Sequence, residues 1–166
     1  GAGGLSLGIE QNGYEHALSI DFDKDSIATY KFNRYPGKSK SILCDDIINL
    51  TKNKWKEWEY LINKIEIIAG GPPCQGFSTA NRRRLIDDPR NELYKNFVQT
   101  VNIFKPKVVI MENVQGILKR TTDIRNDFKN IGYYGDALKL RAQDFGIPQN
   151  RVRVFFIMLG PMYEEL

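Results

Sequence analysis

The chain has 166 residues, long enough for one domain with a substantial core, and its 42% hydrophobic and 27% charged residues are typical of a globular protein. No apolar run is long enough to cross a bilayer, and no signal peptide is visible. The chain has two cysteines and one histidine, which argues against a disulfide scaffold, a zinc site or Ser-His catalysis. Lysine and arginine outnumber aspartate and glutamate by 24 to 20, so the net charge of +4 permits a polyanionic partner without requiring one.

The chain opens on the glycine-rich run GAGGLSLG at 1–8. Glycines here would let the backbone approach a ligand closely before a helix that begins near Leu5. A simple tight turn explains the same run equally well. A ligand-binding loop of this kind follows a strand, so we expect the first strand of the sheet to be missing from this chain.

Five short apolar runs predict the strands of a sheet, and helical patterns separate them. The strands are expected at 17–22, 41–44, 65–69, 107–112 and 152–159. The helices are expected around 26–33, along Trp55, Trp58 and Ile62, from Asp88 and Pro89 through Leu93, Phe97, Val101 and Phe104, and along Ile124, Phe128 and Ile131 to Gly132. This alternation predicts an α/β fold with a parallel sheet covered by helices.

Polar and aromatic residues follow the predicted strands, at the ends where ligands gather in such sheets. Asp21 is placed to bind the ribose of a nucleoside cofactor, and Phe22 beside it could stack on a base or belong to the core. Asp46 could accept a hydrogen bond from an adenine amino group, or cap the helix that starts at Ile47. Glu112 could act as an acid, although acids are common at strand ends. We expect these positions, with the loop after the third strand, to form one edge of the sheet.

The most specific stretch is IIAGGPPCQGFS at 67–78. Two glycines and two prolines directly after a buried strand fix a rigid, non-helical turn that presents Cys74 at the sheet edge. A structural cysteine would more naturally lie inside an apolar run, as Cys44 does. The setting of Cys74 therefore predicts a positioned nucleophile.

Two groups of arginines point to a charged ligand. Arg151 and Arg153 stand two apart at the start of a predicted strand, so both side chains are expected on one face, where either could bind a phosphate or a base oxygen. The run NRRR at 81–84 follows the cysteine loop and suggests phosphate contacts. Solvated charges or salt bridges are the alternative for both groups.

Together these motifs resemble those of the cytosine 5-methyltransferases, especially the bacterial enzymes that modify DNA. The order matches along nearly the whole chain: GAGGLSLG, DFDKD, DDI, GGPPCQGFS, DPRNELY, ENV and QNRVRV. The resemblance implies a Rossmann-like methyltransferase sheet, S-adenosyl-L-methionine as methyl donor and double-stranded DNA as partner. It also implies a place in a restriction-modification system, a bacterial cytoplasmic or otherwise intracellular location, and no membrane association.

The resemblance assigns roles to individual residues. Cys74 matches the nucleophile that adds to carbon 6 of cytosine, and Glu112 matches the acid at ring nitrogen 3. Arg151 and Arg153 match the arginines of the site, and the target base must be flipped out of the duplex to reach them. The positions that match cofactor contacts are Gly1, Ala2, Gly3, Gly4, Leu5, Asp21, Phe22, Asp46, Ile47, Pro73 and Leu93.

The chain departs from the family pattern at both ends. It starts inside the first glycine loop, and the target-recognition domain and last cofactor-contacting segment of the family do not follow before Leu166. We therefore expect residues 1–166 to be an incomplete catalytic and cofactor-binding domain. Target recognition would then lie on further chain or on a second chain, and we do not expect these residues alone to turn over.

Three other functions stay open. A tRNA cytosine 5-methyltransferase would share this core, although GFST after PPCQ is more typical of the DNA branch. An inactive cofactor-binding regulatory module would not need Cys74, Glu112 and both arginines, all of which are present. A nicotinamide-dependent dehydrogenase is suggested by the glycine loop alone and has no use for PPCQ.

Overall fold

The computed structural model describes residues 1–34, 41–73 and 90–161. The predicted helix start at Asp88 and Pro89, the nucleophile Cys74 and the arginines of 81–84 lie outside the described residues. Within the described ranges, no helix is long and apolar enough to cross a membrane.

The first compact unit, Gly1–Leu61, contains a two-stranded parallel sheet with short helices. Its elements are α1 (Gly4–Glu10), β1 (Ser19–Asp21), α2 (Lys24–Arg34), β2 (Ile42–Cys44), α3 (Ile47–Lys52) and a 3₁₀ segment (Lys54–Leu61). Ile27 and Tyr30 of α2 form a buried cluster with Ile42 of β2. These elements confirm the predicted strands at 17–22 and 41–44 and the predicted helix around 26–33.

The second compact unit, Ile62–Leu166, contains a four-stranded sheet in the order β3-β4-β6-β5. Its elements are β3 (Ile67–Gly70), α4 (Arg90–Phe104), β4 (Val108–Val114), α5 (Thr121–Lys129), β5 (Tyr134–Arg141) and β6 (Val152–Leu159), with 3₁₀ segments at Gln115–Arg120 and Ala142–Phe145. Alternate residues of the two central strands are buried and pair across the sheet, Val109 with Met158 and Met111 with Phe156. This alternation fixes the register of β4 against β6, because a shift by one residue would expose the buried side chains.

Helices α4 and α5 bury the apolar stripes predicted for them. The buried members of these stripes are Phe97, Val101, Phe104, Ile124 and Phe128. The Phe97 ring lies so close to Gly70 that a Cβ there would come within 2.7 Å of it, so the glycine lets α4 approach β3. Gly132, with φ of 83°, follows α5, and Tyr133 N–H donates to the Phe128 carbonyl at 3.0 Å, which satisfies the end of the helix.

The sheet of the second unit is mixed, so the prediction of a parallel sheet is wrong for its last strand. Strands β3 and β4 run parallel, but β6 runs antiparallel to both β4 and β5. The pattern of apolar runs does not predict β5, because its sequence YGDALKLR has only scattered apolar residues. The connection at 142–151 has one short 3₁₀ segment and no crossover helix, so β6 returns beside β5 in the opposite direction.

Candidate functional site

In the first unit, the carboxyl ends of β1 and β2 bring two predicted cofactor acids to one edge. Asp21 pairs with Cys44 in the parallel register, and the next residue on that side, Asp45, donates its N–H to the Asp21 carbonyl at 3.0 Å. Asp46 follows directly. The expectation that Asp21 and Asp46 share an edge is therefore confirmed within this unit.

The glycine loop lies at the same edge, since the Gly1 nitrogen lies beside the Asp21 carboxylate. Gly3 has φ of 92°, and a Cβ at this position would fall 2.0 Å from the Tyr30 ring. This glycine is therefore needed for packing inside the protein. Gly1 and Gly4 differ, because a Cβ at either position would meet nothing within 4 Å. The helix predicted to begin near Leu5 begins at Gly4.

The structure bears on the alternatives that the sequence left open for Phe22, core or stacking, and for Asp46, helix cap or adenine contact. Phe22 is 70% exposed, so the interpretation as a core aromatic is wrong and its ring face is accessible for stacking. Asp46 does cap α3, because its Oδ1 accepts from the Ile48 N–H at 2.9 Å. A carboxylate has a second oxygen, so capping is compatible with a hydrogen bond to an adenine amino group. Ile47, the first residue of α3, is half-buried.

Asp45 is hydrogen-bonded to the backbone of both predicted acids, Asp21 and Asp46. Apart from its place in the doublet Asp45-Asp46, no sequence motif indicated a role for it. Its Oδ1 accepts from the Asp46 N–H at 2.8 Å and from Asn49 Nδ2 at 2.7 Å. Its Oδ2 forms an ion pair with Lys54. The hydrogen bond from Lys54, followed by that from Asn49, lowers the pKa of Asp45 to about 2, so this carboxylate is charged at neutral pH.

In the second unit, the end of β4 brings Glu112 and Arg153 into direct contact. Arg153 Nε lies 2.9 Å from Glu112 Oε1, and the two side chains are 26% and 28% exposed. The antiparallel register places Arg153 opposite Val114, two residues beyond Glu112. A Cβ at Gly71 would come within 3.1 Å of Glu112 Oε2, so the turn after β3 lies against this carboxyl group. Two of the predicted catalytic side chains are thus neighbours beside the glycine-proline turn.

Asn113 is a further residue of this edge that the sequence interpretation missed. Its side chain is buried, its Nδ2 donates to the Pro72 carbonyl at 2.9 Å, and its Oδ1 accepts from the Val114 N–H at 2.9 Å. It therefore ties the end of β4 to Pro72 of the glycine-proline turn, which precedes Cys74 by two residues in the sequence. Its position next to Glu112 in MENV was the only available signal.

Three predicted site residues occupy positions that do not test their roles. Pro73 is exposed and is the last described residue before the gap. Leu93 is half-buried on α4. Arg151 is exposed just before β6, and its carbonyl accepts from the Ala142 N–H at 2.9 Å, which extends the pairing of β5 with β6 by one step.

Both units have α/β folds, and the second unit has a mixed sheet with a Glu-Arg pair beside a glycine-proline turn, so the fold is of the Rossmann-like methyltransferase class. The fold is similar to the crystal structure of an E. coli prophage protein described as a DNA modification methyltransferase. The TM-score is 0.78 and the identity 34%, over 98% of this chain and 45% of that one.

The chain belongs to the C-5 cytosine-specific DNA methylase family, whose family model matches residues 1–164. It is 40% identical to the type II methyltransferase M.DdeI of Desulfomicrobium norvegicum, over 96% of this chain and 39% of that protein. It is 34% identical to the type II methyltransferase M.AquIA of Picosynechococcus sp., over 95% of this chain and 68% of that protein. The chain thus spans about two fifths of the length of M.DdeI and about two thirds of M.AquIA.

Proposed function

We propose that this chain is the catalytic and cofactor-binding part of an enzyme that transfers a methyl group from S-adenosylmethionine to carbon 5 of cytosine in DNA. The observation that carries the proposal is the contact of Glu112 with Arg153 beside the turn that precedes Cys74. A carboxyl group and a guanidinium side by side match the polar edge of cytosine, with its ring nitrogen 3 and ring carbonyl. Membership in the C-5 cytosine-specific DNA methylase family supports the same reaction.

The first unit fits the proposed cofactor in its chemistry. Phe22 offers an exposed ring face for adenine, Asp21 a carboxylate for the ribose hydroxyls, and Asp46 a carboxylate oxygen for the adenine amino group. Gly1 and Gly4 leave open space beside the loop that would pass the methionine part. S-adenosylmethionine, when bound, supplies an electrophilic methyl group. The remaining proposed cofactor contacts are Ala2, Gly3, Leu5, Ile47, Pro73 and Leu93.

The second unit supplies the groups that act on cytosine. The Cys74 thiolate adds to carbon 6, and the electron pair displaced onto ring nitrogen 3 takes a proton from the Glu112 carboxyl group. This addition makes carbon 5 a nucleophile toward the methyl group. After methyl transfer, ring nitrogen 3 returns its proton to the Glu112 carboxylate and a water molecule takes the proton of carbon 5. The electron pair left by that proton forms the double bond between carbons 5 and 6, so the bond from carbon 6 to sulfur breaks and the thiolate leaves.

Arg153 has two tasks in this scheme. Its Nε pairs with Glu112, which stabilises the negative charge left on that carboxylate once the proton has moved to the ring. A guanidinium has five N–H donors, so others can hold the ring carbonyl oxygen as charge develops there. We assign to Arg151, which is exposed before β6, a contact with a phosphate of the substrate strand.

The proposed substrate is a cytosine flipped out of double-stranded DNA, because its carbons 5 and 6 cannot be reached inside the stack. M.DdeI and M.AquIA are named type II methyltransferases, which favours a place beside a restriction enzyme. We assign target recognition to chain beyond these residues or to a second chain, since this stretch matches only part of M.DdeI.

The proposal is tested by covalent trapping with the full-length protein and S-adenosylmethionine. Fluorine at carbon 5 of cytosine blocks the final proton loss, so a 5-fluorocytosine duplex should form a stable adduct with Cys74. We expect the adduct in the wild type and in Cys44→Ser, and its absence in Cys74→Ser. Cys44 is the matched control because it is the other cysteine and is exposed.

Each outcome of the trapping experiment selects one function. Trapping on 5-fluorocytosine tRNA in preference to duplex DNA would make the protein a tRNA cytosine 5-methyltransferase. Binding of the cofactor without trapping on either nucleic acid would identify an inactive regulatory module. An adduct that survives Cys74→Ser would overturn the assignment of the nucleophile.

A further inference from the structure

Asp45 connects the two acids that we assign to the cofactor. Its backbone N–H donates to the Asp21 carbonyl at 3.0 Å, and its Oδ1 accepts from the Asp46 N–H at 2.8 Å. The Asp46 carboxylate in turn accepts from the Ile48 N–H at 2.9 Å. One continuous series of hydrogen bonds therefore runs from the end of β1, through Asp45, to the first turn of α3.

The Asp45 carboxylate is itself held from two sides. Asn49 of α3 donates to Oδ1 at 2.7 Å, and Lys54 of the following 3₁₀ segment pairs with Oδ2. This carboxylate is turned toward its own unit and is only 16% exposed. Asp45 is therefore poorly placed to contact a ligand and well placed to orient its neighbours.

We propose that Asp45 is a positioning residue, which fixes the backbone turn at Asp46 so that Asp46 can recognise the amino group of the adenine ring. The inference rests on the proposed cofactor role of Asp46. The ion pair with Lys54 belongs to this arrangement, because it holds the second oxygen of the Asp45 carboxylate while Asn49 holds the first. Without the acceptor at Asp45, the Asp46 N–H loses a charge-assisted hydrogen bond and the turn can adopt other orientations.

The test is adenine selectivity, measured by calorimetry on the full-length protein. The probes are S-adenosylhomocysteine and S-inosylhomocysteine, which carries a carbonyl oxygen where adenine has its amino group. An acceptor held at Asp46 binds the amino group and repels the oxygen, so the wild type should prefer the adenine ligand. In Asp45→Ala we expect the Kd for S-adenosylhomocysteine to rise about tenfold, with the Kd for the inosine ligand nearly unchanged.

Two further variants separate positioning from a general loss of structure. Asp45→Asn keeps an oxygen that can accept from the Asp46 N–H, so it should retain more selectivity than Asp45→Ala. If Asp45 acts through Asp46, the double variant Asp45→Ala/Asp46→Ala should be no less selective than Asp46→Ala alone. Asp25→Ala, which removes an exposed acid from the first turn of α2, should behave as the wild type.

Failure of the inference differs from failure of the proposed function. A wild type that binds neither ligand, or shows no preference for adenine, would overturn the cofactor role of Asp46 itself. A selective wild type with an equally selective Asp45→Ala would overturn only the positioning role. Where Asp45→Ala does not fold, Lys54→Met weakens the hold on the same carboxylate from outside the turn, and unchanged selectivity in that variant would overturn the proposal.

Discussion

The two compact units hold their predicted site residues by different means. In the first unit, Asp21 ends one strand of three residues, Asp46 lies two residues after another, and hydrogen bonds that the Asp45 side chain accepts hold the turn. In the second unit, Glu112 lies inside the seven-residue strand β4, which pairs with strands on both sides. A long strand that pairs on both sides holds its side chains in place through the hydrogen bonds of the sheet. Beside a short strand, local side-chain hydrogen bonds must hold them.

The difference matches the two tasks that we propose. Cofactor binding needs exposed ring faces and backbone edges. Short strands and helix caps can expose these groups without exposing the buried core. Covalent chemistry needs a carboxyl group and a guanidinium at fixed separation, which a paired register provides. Substitutions in the first unit should therefore change affinity, and those at the β4 edge should change the rate of reaction.

Glu112→Gln should have the largest effect on the rate of reaction, and it should change that rate without changing cofactor affinity. The amide cannot deliver a proton to ring nitrogen 3, so we expect the rate of adduct formation on 5-fluorocytosine DNA to fall by about 100-fold or more. The Kd for S-adenosylhomocysteine should stay within about twofold of the wild type, an energy difference well below that of one hydrogen bond. Single-turnover trapping and calorimetry measure the two quantities.

The control for this substitution lies in the same unit. Glu66 pairs with Lys107 at 2.8 Å, and both side chains are about half exposed, so Glu66→Gln also removes a carboxylate from an ion pair. Such an exposed pair contributes little, and the variant should react at the wild-type rate. A similar loss of rate in both variants would mean that Glu112 acts only through general electrostatics.

Gly3→Ala should give the next largest effect, on the stability of the first unit. The new Cβ would meet the buried Tyr30 ring at a φ of 92°, so strain and overlap together should lower the free energy of unfolding by about 3 kcal/mol. Gly4→Ala adds the same methyl group where nothing lies within 4 Å, and should change stability by no more than about 1 kcal/mol. Urea unfolding monitored by tryptophan fluorescence compares them, and equal losses would contradict the packing role of Gly3.

Much of the fold could be predicted because apolar periodicity reports burial directly. The run at 152–159 coincides with β6, and the stripe of Phe97, Val101 and Phe104 is buried on α4. Strand β5 could not be predicted in this way. It lies at the sheet edge with Tyr134 and Leu138 exposed, so burial imposes no clear alternation on its sequence. Without β5, the antiparallel direction of β6 could not be predicted either.

The sequence predicted which residues lie near the strand ends of the site. It did not predict the contacts among them. Nothing in the spacing of Glu112 and Arg153 shows that they touch, because their contact depends on the antiparallel register of β4 and β6. Asp45 and Asn113 were missed for a related reason. Each acts through a hydrogen bond to a backbone group of another residue, and such bonds leave no periodic signal in the sequence.

Asn113→Ala tests whether the second unit also holds its glycine-proline turn through a local contact. The substitution removes a buried amide and deprives the Pro72 carbonyl of this donor, so we expect a loss of about 2 kcal/mol in unfolding free energy. Because Cys74 follows Pro72 by two residues in the sequence, adduct formation should slow as well. Asn102→Ala, at an exposed position of α4, should change neither. A stable variant with normal trapping would show that the strand alone positions the turn.

Phe22→Ala should have the smallest of these effects and addresses the first unit alone. The ring is already 70% exposed, so its removal should leave the melting temperature nearly unchanged. Stacking of a base on an aromatic ring contributes about 1–3 kcal/mol, so the Kd for S-adenosylhomocysteine should rise about tenfold. Phe32→Ala removes a phenylalanine of the same unit that is 85% exposed on α2, and should change neither quantity. If the two variants bind the cofactor equally well, the exposure of Phe22 reflects only a solvent-facing strand end. The exposed ring of Phe22 would then no longer support cofactor binding at the carboxyl ends of β1 and β2.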